Sequence, residues 1–119
     1  MTGLENAILG LQQALDAPRR QHTWRWLVRH RIACVKEALN HEHTRAGEAW
    51  LAAREVMLVR ERDGLLRKLS ALGPQVLESP DIEGVRRELR RLLGDLEHHR
   101  QRLNDLVYDT VALELGGSE

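Results

Sequence analysis

The chain has 119 residues with 18 Lys+Arg against 18 Asp+Glu, enough for one hydrophobic core but with no electrostatic field for nucleic acid or an anionic membrane. Its single cysteine, Cys34, excludes an internal disulfide and fits a reducing compartment. No stretch nears the ~18–20 apolar residues of a membrane span, and no basic start leads into an apolar leader, so the expected location is cytoplasmic.

Thr2 and Glu5 read as a capping box, followed by Leu4, Ile8, Leu11 and Leu15 on one helical face. This first, short helix spans about 3–16 and stops at Ala17-Pro18, because proline disfavours helical geometry in the residue before it. From Arg20 to Leu72 there is no proline, and a single rod of that length would reach ~80 Å, too long for a compact domain. The chain therefore turns once, at His43-Thr44-Arg45-Ala46-Gly47, giving long helices near 20–44 and 48–72. Gly64 is not the break, since Leu58, Leu65, Leu66, Leu69 and Leu72 carry an apolar face across it.

Leu72-Gly73-Pro74 reads as a helix stop, and Ser79-Pro80-Asp81 as the start of a last helix near 80–110. Val85, Leu89, Leu92, Leu96, His99, Leu103 and Leu106 then alternate by four and three. Residues 115–119 form a glycine-rich tail expected to fray. No window alternates with period two, and no internal repeat is evident. Short connections make neighbours antiparallel, so the predicted fold is all-α: one up-down bundle domain of three long helices and one short one. With no Phe and one Tyr, Leu, Val, Ile and Ala must build the core, and Trp24, Trp26 and Trp50 supply bulk to it.

The six histidines make no chelating pair on one helix. A metal is held by residues three or four apart, yet Arg45 follows His41, Gly47 follows His43, Arg102 follows His98 and Leu103 follows His99 at the fourth position. Convergence between helices remains. His43 continues the stripe Val28, Ile32, Val35, Leu39; Asp63 lies in the line Val56, Val59, Leu66, against a rival face of Leu58, Leu65 and Leu69; His99 sits between Leu96 and Leu103. A charged Asp buried there needs a partner or a metal. The structural reading is a hydrogen-bonded His–Asp or Arg–Asp cluster with Arg62 or Arg102, in which His99→Leu would be tolerated or stabilising.

Other chemistries find little footing. Cys34 and His30 are one turn apart on an apolar line, no serine occupies a nucleophile elbow, and there is no glycine-rich phosphate loop. The arginines at 86, 87, 90 and 91 interleave with Glu83, Glu88, Asp95 and Glu97, as on a solvated ion-paired face.

The segments LNHEHTRAGEAWL, VRERDGLLRKLSAL and LLGDLEHHRQRLNDLVYD give the chain over roughly 22–110 a layout that resembles the hemerythrin-like (HHE) helical bundles, in which histidine-plus-carboxylate motifs recur along the helices. Arg62-Asp63 stands where that family usually has Glu-His, Glu48 follows His43 by five residues, and Asp105 follows His99 by six. The resemblance implies a helical bundle and nominates His43, Glu48, Asp63 and His99 as ligands of iron or another transition metal. The expected function is a small non-catalytic interaction or structural module, homodimeric through the Leu4/Ile8/Leu11/Leu15 face or an exposed seam of a long helix, with an incomplete metal site and no resident cofactor. The alternative is a metal-binding or redox- and oxygen-sensing hemerythrin-like protein.

Overall fold

The computed structural model describes residues 3–18, 23–42 and 49–116, without the side chains of 49–51, 110, 113, 114 and 116. Four helices occupy them: α1 (Gly3–Asp16), α2 (Thr23–Asn40), α3 (Ala49–Glu78) and α4 (Ile82–Gly116), with no strand among the described residues. Each helix packs on the next and α1 closes the ring against α4, the up-down bundle that the periodicity implies. The core takes one stripe from each: Leu4, Ile8, Leu11 and Leu15; Trp24, Val28, Ile32, Val35 and Leu39; Leu65, Leu69 and Val76; Val85, Leu89, Leu92 and Leu96. The face of α1 expected to receive a second copy is therefore spent inside the chain. Trp26, expected in the core, stands 64% exposed, because it lies two residues from Trp24 and so on the far side of the helix. The side chain of Trp50 and the turn at His43–Gly47 lie outside the described residues.

Several helix boundaries differ from expectation: α2 ends at Asn40 and not near 44, and both ends of α4 and the end of α3 are shifted. α3 does not stop at Leu72 but runs through Gly73-Pro74 to Glu78. Proline clashes chiefly with the Cβ and N–H of the residue before it, and Gly73 has no Cβ. The continued turns also have something to hold them: Val76 is fully buried, and the Arg25 guanidinium lies 3.0–3.3 Å from the carbonyls of Val76, Leu77 and Ser79. α4 starts at Ile82 with Asp81 as its cap, whose carboxylate accepts from the Gly84 N–H at 3.0 Å; the Ser79 hydroxyl accepts from the Asp81 N–H in the turn before it. The helix then runs to Gly116, past the expected end near 110 and into the expected tail.

The helices differ in length, and this shapes the molecule. Glu5 pairs with Arg100 and Asp16 with Arg90, so α1 runs antiparallel to α4 and begins level with Arg100. α2 runs antiparallel to α3, from Arg25 beside Val76 to Glu42, which shares His99 with Glu61 of α3. Beyond that level, among the described residues, α3 and α4 continue as a two-helix arm, sealed by Leu58, Leu103 and Leu106 and by an Arg54–Asp109 ion pair at 2.6 Å. The extents of 60 × 23 × 19 Å reflect it. No helix among the described residues is long and apolar enough to cross a membrane.

Candidate functional site: a carboxylate-clamped imidazole at the base of the arm

The last layer of the four-helix part is polar. His99 occupies the position in the α4 stripe that its spacing predicts and is wholly buried. Its Nδ1–H donates to Glu61 Oε1 at 2.6 Å, and its Nε2–H donates to both oxygens of Glu42 at 2.9 Å. A neutral imidazole has one N–H, so with both glutamates ionised, and therefore only accepting, the ring is doubly protonated. Glu61 is held in turn by Arg102, whose guanidinium donates to both of its oxygens at 2.6 and 3.3 Å. Two cations and two anions thus close on one another with no surplus charge.

The electrostatics follow from this geometry. Burial by itself pushes the His99 pKa down, but hydrogen bonds and charge from Glu42 and Glu61 together carry it above 6.5. Burial pushes Glu61 up, yet Arg102 and then His99 hold it below its ordinary 4.5.

Of the four residues nominated as metal ligands, His99 alone lies in this layer among the described residues. His43 and Glu48 fall outside them. Asp63 is on the surface, with Arg62 Nε at 3.6 Å, because the rival face of Leu58, Leu65 and Leu69 is the one that packs inward. The carboxylates that do reach His99 escaped the sequence reading. Glu61 sits three residues after Leu58 and four before Leu65, and Glu42 follows Leu39 by three and Val35 by seven, so both continue buried stripes. Glu42 and Glu61 grip opposite edges of the ring and do not share one point in space. Among the described residues no group of three or more His, Cys, Asp or Glu is placed to hold one ion.

An open groove of about 480 Å³ runs along the arm between α3 and α4, lined by Arg54, Met57, Leu58, Glu61, Arg102 and Asp105. It reaches Glu61 and Arg102 but stops short of the imidazole, both of whose nitrogens are occupied. Cys34, half-buried against the core, lies 3.7 Å from His30 on α2, apart from this layer. No family model, no curated protein and no solved structure matches the chain.

Proposed function

We propose that the chain is a non-catalytic interaction module: a four-helix body that holds out a two-helix arm as its binding surface. One observation carries this reading. α4 presents Val107, Tyr108 and Val111 to solvent on the arm, with Tyr108 73% exposed and the two valines each 48%. Spacings of three and four gather them on one side of the helix, and apolar residues gathered in this way, as opposed to scattered singly, support a surface that meets another protein. The closed state of the polar layer supports the same reading, because a general base or a ligand needs a free lone pair and His99 has both nitrogens committed to carboxylates.

A photo-crosslinking residue at Tyr108, compared in the native cell with the same residue at Lys68 on the body, tests this. Discrete adducts at Tyr108 and none at Lys68 are expected; indistinguishable background at the two sites would remove the interaction reading. Elemental analysis of the purified protein covers the metal-binding or redox alternative. Near-stoichiometric iron, manganese or zinc that disappears in His99→Leu would replace the present reading with that one.

A further inference from the structure

Resting on that reading, we propose that the arm's partner is a second copy of this chain, its α4 lying antiparallel to the first about a twofold axis at Val111.

Continuity with the interface inside the chain sets the kind of occupant. The side of α4 that α1 covers includes Arg90, Glu97 and Arg100, the first and last of them ion-paired to α1. Steps of three and four residues carry that side on to 104, 107 and 111. α1 begins level with Arg100, so the lane it occupies stays open alongside the arm among the described residues, and there its wall turns apolar. A helix antiparallel to α4 suits the lane, as α1 does below it.

The sequence of the stripe makes a second copy that helix. Val107 and Tyr108 precede Val111 by four and three residues, and Leu115, also exposed, follows it by four. Reversing this order about Val111 sets Val107 against Leu115 of the other copy, so the surface complements itself and the pair closes without propagating. Charge does not oppose the meeting. The chain has 18 basic and 18 acidic residues, and Asp109, two residues from both Val107 and Val111, faces away from the stripe to Arg54 of α3.

Sedimentation of the full chain should give twice the 13.7 kDa chain mass. Val111→Glu should weaken association at least about tenfold with unchanged helicity, because it places a charge at the axis. Register is read in a Cys34→Ser background with a short bismaleimide. Val111→Cys should link to itself, Leu115→Cys should not, and Val107→Cys should link to Leu115→Cys when the two proteins are mixed. Self-linking of Leu115→Cys instead would overturn the antiparallel arrangement. A wild-type chain that stays single at its highest soluble concentration overturns self-pairing whatever the variants do. With adducts at Tyr108 still present in cells, that result leaves the interaction reading standing; without them both fall.

Discussion

The residue that most repays attention is His99, because its neighbours invert what its sequence position suggests. A histidine in a leucine stripe predicts that leucine will serve as well. Glu42, with a side chain only 7% exposed, would be left by His99→Leu as a buried carboxylate without its imidazolium. Removing one member of a buried ion pair costs about 3–5 kcal/mol, whereas replacing both by apolar groups is often neutral. His99→Leu should therefore lower stability by about 3 kcal/mol or more, and adding Glu42→Leu should recover most of the loss. Urea melts of the two single variants and the double check this; additive losses would show that the pair is not coupled. The same cluster gives stability a pH dependence. His99 has a raised folded pKa, so its contribution is fully present below 6.5 and is lost as pH rises through the folded value. Glu61 has a depressed one, so its contribution is present above 4.5 and is lost as pH falls through the folded value. Both act between about 4.5 and 6.5, where the melting temperature should be highest before it declines toward alkaline pH. The His99→Leu/Glu42→Leu variant should lose the alkaline decline, and a wild-type melting temperature that climbs from about pH 6 to about pH 8 would contradict the clamp. His99 was legible because its stripe is unbroken by any rival. Asp63 was misplaced because α3 offers two apolar faces, and only packing against α2 and α4 decides between them. Glu42 went unnoticed because it lies beyond the end of α2, where periodicity no longer commands attention.

At the scale of the element, α3 shows how context overrides local punctuation. Glycine followed by proline usually ends a helix, yet here the pair is traversed and the turns beyond it are fixed by the burial of Val76 and by Arg25. If the missing Cβ of Gly73 is what lets the helix pass, Gly73→Ala should change sign with its neighbour. A Cβ there would sit 3.5 Å from the Arg29 side chain, an ordinary contact, so space does not forbid alanine. Beside Pro74 the new Cβ meets the proline ring, and Gly73→Ala should destabilise by about 1 kcal/mol. In a Pro74→Ala background the ring is gone, and the same change should stabilise by about 0.5–1 kcal/mol through helix propensity alone. Thermal melts of the four combinations read this directly; the same sign in both backgrounds would place the tolerance elsewhere. The start of α4 was legible because a short run of cap, proline and acid is local chemistry. The true end of α3 was not, since it rests on Val76 and Arg25 meeting partners some fifty residues away in sequence.

For the whole molecule, the ring of four antiparallel helices could be read from spacing and loop length, but the arm could not. Periodicity says which face of α4 is apolar; it does not say that, among the described residues, α1 begins and α2 ends level with Arg100 while α3 and α4 run on beyond it. That offset fixes the role of α1. Its Leu4, Ile8, Leu11 and Leu15 are buried against α2 and α4, whereas its ion pairs, Glu5–Arg100 and Asp16–Arg90, stay partly solvated. Magnitudes separate the two contributions. Four buried aliphatic side chains at about 1.5–3 kcal/mol each amount to roughly the whole stability of a domain this size, about 5–15 kcal/mol. Partly exposed ion pairs contribute about 0–1 kcal/mol apiece. Deleting residues 1–17 should accordingly abolish cooperative unfolding rather than merely loosen self-association, because it strips one wall from the core. Leu11→Ala should cost about 2–5 kcal/mol, and Glu5→Gln or Asp16→Asn no more than about 1 kcal/mol. Urea melts followed by circular dichroism decide it. A truncated chain that still unfolds in one sharp transition within about 2 kcal/mol of the full-length protein would mean that α1 is an accessory to a three-helix core and not its fourth wall.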